Sequence, residues 1–584
     1  VADGRPGVKT AIARGNGAES SQHLFGAGPI RLYALVLGAG FLLLTPIVTL
    51  LVTSFNVAPF AETFRHGDTN WRAVFTQPEM IDALLNTVSL SIARQAFALV
   101  LGAMLAWLIA RTDLPGRRWL EVGFWIALFM PPLPAALAWV LLLGGSSGLV
   151  NSALYALPFV DAPVFKIYSW WGIVWVHMMG ATLAVKVFLL VPAFRAMDGS
   201  LEDAARASGA SLGSVFTNIV LPMMAPALLV TTLIGLVRSM QAFEVELILG
   251  APAGIDVYST VIYRAMTQEP PRHGLGSALS VAFVLALAPF VVLQQWLGRR
   301  HAHASVTGRI RSRPQALGRL KWPVFAGVVA LLSLMTLVPL CFLLMSTFMR
   351  LFGIFEMTDP WTLDNWRGAL GRGDALRSLG NTLQLGFMAA LWAMIVFSGL
   401  AYVIVRSRSQ AARVLDFMTW LPALIPGVVL SLGLLQMFSS LAIFRPLYGT
   451  VMSLVVAVLL GTVTVGVQFL KTSMRQLGRE LEEAGWACGG GRLHVLLRIV
   501  VPLVAPSIAV VGLETFAAAN AAVGVVSLLG AGENQPLSIL QLNLLTSGQL
   551  EAASVVGFTI MSLTVGSALF ARWVADKARL ESTA

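Results

Sequence analysis

The chain has 584 residues, of which 57% are hydrophobic and 12% charged, with a mean hydropathy of +0.77. A soluble domain carries roughly a quarter charged residues, so these numbers exclude a water-soluble core and place the chain in a membrane. The net charge of +11 calls for no nucleic-acid partner, because the basic residues cluster beside apolar runs, where the anionic headgroups of a lipid bilayer lie.

Residues 1–30 are polar and rich in Gly, Ala and Ser, and read as a disordered cytoplasmic tail. The apolar run after Arg31 is too long for a signal-peptide core, so a retained first helix is expected, and Val1 points to an alternative start codon or a trimmed end. A helix needs roughly 20 apolar residues to cross a bilayer. About twelve runs meet that length: 32–54, 84–110, 119–145, 170–194, 218–248, 275–297, 323–348, 380–405, 415–440, 448–470, 499–530 and 553–573. The fifth and eleventh are long enough to be tilted, kinked or split. With the N-terminus inside, roughly two thirds of the 40 Lys and Arg fall on the cytoplasmic side, as the positive-inside rule requires. The expected protein is an all-α polytopic protein of a cytoplasmic membrane with both termini inside. Its first half is 31–297, its basic cytoplasmic linker 298–322, its second half 323–576 and its C-terminal tail 577–584.

Two polar stretches repeat in register. Residues 201–226 read LEDAARASGASLGSVFTNIVLPMMAP and residues 481–506, 280 positions later, read LEEAGWACGGGRLHVLLRIVVPLVAP. Asn70-Trp71-Arg72 recurs as Asn365-Trp366-Arg367, Asn86-Thr87 as Asn381-Thr382 and Arg111 as Arg406, each 295 apart. Two six-helix repeats are therefore expected, parallel in the membrane because an even number of helices precedes the second, with a pathway between them along a pseudo-two-fold axis. Each polar stretch predicts a rigid knob facing the cytoplasm: a short helix, a glycine that permits a sharp turn (Gly209, Gly489), and a proline where the next span begins (Pro222, Pro502). Glu202, Asp203, Glu482 and Glu483 suit the start of a helix and are expected to meet basic groups on a partner. Gly485 together with Gly489, Gly490 and Gly491 predicts a looser second knob, so that Gly209 should tolerate change less well than Gly490. Cys341 and Cys488 fit neither a disulfide nor a metal site, and His301 and His303 read as solvated.

The repeated knobs resemble the cytoplasmic signature of ABC importer permeases: E-A-A, three residues, G, nine residues, then I-x-L-P. The first copy reads Asp203-Ala204-Ala205, Gly209, Ile219, Leu221, Pro222, departing in its Asp. The second reads Glu483-Ala484-Gly485, Gly489, Ile499, Val501, Pro502, departing in Gly485 and Val501. The resemblance covers nearly the whole chain after the tail and is to the fused two-half, ferric-iron class, with thiamine and aminoethylphosphonate permeases as relatives. It implies the type I permease architecture, two ATPase subunits, as a homodimer, below the knobs, and a soluble extracytoplasmic substrate-binding protein above. No phosphate-binding loop occurs and no lysine follows a glycine, so no cofactor is expected on this chain; ATP and Mg belong to the partner subunits. The residues implied to couple to the ATPases are Glu202, Asp203, Ala204, Ala205, Gly209, Pro222, Glu482, Glu483, Ala484, Gly489 and Pro502.

Ionisable groups inside spans are costly and mark a pathway by default, so Arg238, Gln241, Glu244, Glu246, Glu514 and Asn520 are the translocation-path candidates, with Arg94, Lys186 and Gln384 beside them. Oxygen ligands suit a hard cation, and Glu244, Glu246 and Glu514 form a possible relay for ferric iron. The alternative is that these groups pair within the bundle. The expected function is the pore subunit of an ATP-driven importer, ferric iron first and thiamine, aminoethylphosphonate or polyamine as alternative cargo. A secondary transporter, or an assembly protein using the knobs to recruit another partner, is more remote.

Overall fold

The structure is a computed structural model describing residues 29–58, 63–145, 148–155, 157, 160, 162–197, 199–301, 314–352, 359–371, 373–407 and 409–581. The expected tail up to residue 28 and linker residues 302–313 lie outside the described residues, as does the tail end 582–584. The described residues are helical apart from turns and isolated β-bridges.

Among the described residues nine helices are long and apolar enough to cross a membrane, and counting each of three bent pairs as one span raises the number to twelve. The third span is not the straight helix expected over 119–145: Arg117–Leu128 and Pro132–Leu143 meet at 97°. The ninth breaks likewise, Gln410–Leu424 meeting Gly427–Ser440 at 109°. The cause is local and repeated. Pro131-Pro132 and Pro426-Gly427 stand 295 apart, and prolines there remove amide donors while biasing the preceding residue away from the helical region. A gentler bend of 41° splits the fourth span between Trp170–Met178 and Ala181–Ala196.

The fifth and eleventh spans run Gly213–Met240 and Leu493–Asn520, so they start earlier and end sooner than expected over 218–248 and 499–530. Each contains one wide π turn, Phe216–Val220 and Leu496–Val500, just before Pro222 and Pro502. The wider turn lets a residue without an N–H sit inside a continuous helix. After Met240 and Asn520 the chain turns and re-enters as the short helices Tyr258–Thr267 and Leu537–Thr546.

The repeated Asn and Thr residues turn out to be fasteners. Asn70 Nδ2 donates to the carbonyls of Ser54 and Asn56, and Asn365 Nδ2 to those of Thr347 and Met349, which closes the end of the first span of each half. Thr87 Oγ1 accepts from the Tyr258 amide at 2.9 Å and Thr382 Oγ1 from Leu537 at 2.8 Å, fixing each re-entrant helix on the second or eighth span. The first span of each half crosses to the other half. A Cβ on Gly433 would meet Pro46 at 2.9 Å, and a Cβ on Gly123 would meet Leu332 at 2.9 Å. The halves thus clasp each other through close helix contacts.

Small and large residues have traded places inside the halves. Gly102 of the second span admits the Lys186 stem, whereas at the corresponding contact Phe397 of the eighth span fills the space over Gly466. Lys186 is buried and its Nζ donates to Thr231 O at 2.6 Å. The first half is therefore stitched by buried polar groups where the second is packed with an aromatic ring.

Candidate functional site: two knobs and an axial cavity

The knobs are the helices Ser200–Ala207 and Glu480–Ala487. Both end in the same turn. The amide of Gly209 donates to Arg206 O and that of Ala210 to Ala205 O; the amide of Gly489 donates to Trp486 O and that of Gly490 to Gly485 O. Gly209 has φ +86° and Gly489 +82°, the left-handed conformation this helix stop needs. The second knob is not the looser one. A Cβ on Gly485 would meet Ile499 Cδ1 at 2.7 Å, and one on Gly490 would meet Gly485 O at 2.8 Å, so these glycines permit close packing rather than slack.

Each knob is fastened by one buried glutamate, Glu202 in the first and Glu482 in the second. Glu202 is buried and pairs with Arg111 at 2.9 Å, while Glu482 is buried and pairs with Arg406 at 2.6 Å. Arg111 Nη1 also donates to Met197 O and Arg406 Nη2 to Leu477 O, both at 3.3 Å. Burial raises the Glu202 carboxyl above its usual value, and the Arg111 charge and hydrogen bond oppose that rise. Glu202 and Glu482 therefore hold the knobs to the bundle instead of facing outward. The outward groups are Asp203, Ala204, Glu483 and Ala484, all exposed, with Ala205 half-buried. The signal for this fastening was present: arginines repeated at one offset and glutamates at another, with opposite charge.

The path candidates separate into four environments. Glu246 is buried with Arg94 at 2.6 Å and His177 at 2.9 Å, so it pairs inside the first half. Asn520 is buried, and a Cβ on Gly386 of the eighth span would meet its Oδ1 at 3.0 Å. Arg238 is exposed and Glu514 half-buried, on the fifth and eleventh spans. An exposed arginine within a span belongs to a water-filled space rather than to lipid.

Gln241 and Glu244 line a cavity of about 280 Å³ between the halves, at the end of the fifth span far from the knobs. Its walls are repeat-related pairs: Pro132 and Gly427 are 295 apart, while Gln241 and Ala521, Phe243 and Val523, and Glu244 and Gly524 are each 280 apart. Glu244 Oε1 accepts from the Gly524 amide at 3.3 Å, so a residue faces its own counterpart across the pseudo-two-fold axis. Gln241 Nε2 donates to Ala423 O at 3.0 Å, another bond between halves at this level. Thr462 adds a hydroxyl to the lining, and Glu244 is the acidic residue among the lining side chains. Among the described residues no group of three or more His, Cys, Asp and Glu is placed to hold a metal ion.

Known proteins resemble this chain in sequence. The profile of the binding-protein-dependent transport system inner membrane component matches residues 98–303 and 394–580. The "Probable ABC transporter permease protein y4fN" of Sinorhizobium fredii is 26% identical over 86% of this chain and 88% of its own length. The "Ferric transport system permease protein FbpB" of Actinobacillus pleuropneumoniae is 25% identical over 78% of this chain and 65% of its own. The "Putative 2-aminoethylphosphonate transport system permease protein PhnU" of Salmonella typhi is 29% identical over 42% of this chain and 82% of its own. A chain of a crystal structure of a bacterial alginate ABC transporter matches 47% of this chain and 96% of its own, at 22% identity and a TM-score of 0.39. The chain belongs to the inner-membrane components of binding-protein-dependent transport systems, carries two copies of that unit, and is the multi-pass permease subunit of an ABC importer.

Proposed function

We propose that this permease imports ferric iron, handed over by a soluble extracytoplasmic binding protein, through the axial cavity at Glu244. The observation that carries the reading is the Glu244 carboxylate, which faces Gly524 across the pseudo-two-fold axis in a cavity of about 280 Å³. A water takes up roughly 30 Å³, so an ion with six waters needs on the order of 200 Å³ and fits. Oxygen donors from Glu244, Gln241 and Thr462 suit a hard cation, and a single acid holds it without trapping it. The ferric transport relative supports the same cargo.

The knobs face the cytoplasm in this reading and dock by their exposed Asp203 and Glu483 turns into two ATPase subunits, which bind ATP and Mg. The halves are joined by hydrogen bonds at the cavity end, while nearer the knobs Arg238 is exposed and Glu514 half-buried. That shape is inward-facing, and ATPase closure moves the halves toward an outward-facing packing. The test is uptake by the reconstituted complex with radiolabelled ferric iron, thiamine and aminoethylphosphonate. Glu244→Gln should lower iron uptake at least about tenfold, the scale of a lost charge-assisted bond. Wild-type uptake of thiamine or aminoethylphosphonate in place of iron rejects the cargo, and full iron uptake by Glu244→Gln rejects the site.

A further inference from the structure

The linker between the halves returns to the described structure at residue 314 and lies against the first knob. The Gln315 amide donates to Arg111 O at 2.8 Å, and the Asp113 amide donates to Gln315 O at 2.9 Å, a parallel bridge between Thr112 and Gln315. Two further contacts continue it: the Leu317 amide to Asp113 Oδ1 at 2.9 Å and Lys321 Nζ to Asp113 Oδ2 at 3.2 Å. The Gln315 side chain is buried, and its Nε2 donates to Glu202 Oε2, the carboxylate oxygen that Arg111 leaves open.

The second knob solves the same problem without a linker. Glu482 Oε2 accepts from the Tyr402 hydroxyl at 3.0 Å, and Arg406 takes the other oxygen. The residue 295 positions before Tyr402 is Trp107, whose buried ring lies 5.1 Å from Phe216. Each buried glutamate needs a second donor beside its arginine, because a half-satisfied buried carboxylate is costly. In one half the donor belongs to the eighth span; in the other it arrives from the linker.

We propose that Gln315 is a positioning residue for energy coupling: it completes the Glu202 anchor in the role Tyr402 has at Glu482, so the linker is a working part of the first knob. Lys321 opens the seventh span, which packs on the first half, so movement of that span is transmitted to the knob through six residues of chain. The proposal rests on the knobs being the ATPase contacts.

The experiment uses the full complex with its ATPase and binding protein in proteoliposomes and reads cargo transported per ATP hydrolysed. Gln315→Met, which keeps the volume and removes the donor, should lower this ratio about tenfold, and adding it to Glu202→Gln should cause no further fall. An unchanged ratio, or effects that multiply independently, overturns the proposal. Hydrogen–deuterium exchange decides the contact even where the variant assembles poorly. Exchange should rise over residues 199–209 and stay at the wild-type level over 479–489; an equal rise in both knobs overturns it. If Asp203→Lys and Glu483→Lys together leave the ratio intact, the docking assignment of the knobs fails instead, and the exchange result still judges Gln315.

Discussion

Replacing Arg111 by Met removes the cation from a pair whose side chains are 7% and 1% exposed. An unpaired carboxylate at such a site costs about 3–5 kcal/mol if it stays ionised. Two things lower that cost. Gln315 still donates one bond to Glu202, and the carboxyl can take up a proton instead, at about 1.4 kcal/mol for each unit between its new value and the ambient pH. Burial already pushes Glu202 upward and Arg111 opposes it, so the variant leaves only the Gln315 hydrogen bond against the push. An acid raised in this way favours the folded form below its unfolded value and loses that advantage as the pH rises through the folded one. Arg111→Met should therefore transport poorly near pH 8 and recover by up to about tenfold per unit as the pH falls toward 6. The assay is cargo uptake by proteoliposomes at fixed ATP across that range, normalised to wild type at each pH. Arg111→Met with Glu202→Gln, which has no charge left to strand, should show a flat normalised profile. If the single and double variants share one pH profile, the account of the buried anchor is wrong.

Gly209→Ala and Gly489→Ala should each destabilise their knob by about 1–2 kcal/mol and lower transport alike, because both have positive φ and open space where the Cβ would go; thermal unfolding of the complex checks the equality. Gly427→Ala would drive its Cβ to 3.0 Å from the Val525 amide, whereas Gly524→Ala meets nothing closer than 3.6 Å. The first should weaken the cavity end by about 1–3 kcal/mol and slow uptake, and the second should leave it near wild type. Gly466→Ala forces a Cβ into Phe397, at an overpacking cost of about 1–3 kcal/mol, and Phe397→Leu in the same chain should restore most of the lost thermal stability.

The knobs were legible in the sequence because their chemistry is local. A polar helix, a glycine stop and a proline span start follow one another within about twenty residues of each copy. The breaks in the third and ninth spans leave no mark in hydropathy, although Pro131-Pro132 and Pro426-Gly427 repeat at the same offset as Arg111 and Arg406. Hydropathy counts apolar residues and is blind to the direction the chain takes after a proline. The inward turn of Glu202 depends on which face of a short helix meets the bundle, and that is set by Arg111 from a different span. Glu244 and Glu246 are two positions apart and equally acidic, yet one lines the axis and the other pairs with Arg94. A local turn after Met240 makes that difference, and composition carries no trace of it.

The meeting of Glu244 with Gly524 has a bearing on why the two halves share a chain. In a homodimer every residue on the symmetry axis comes twice, and two carboxylates within hydrogen-bonding reach repel or share a proton. Fusion frees the two copies to diverge, so an odd number of charges becomes available on the axis: one acid, opposed by a bare amide. A tandem chain made of two first halves would put two glutamates there and hold a cation more tightly than a conduit should, and one made of two second halves would have no acid to offer.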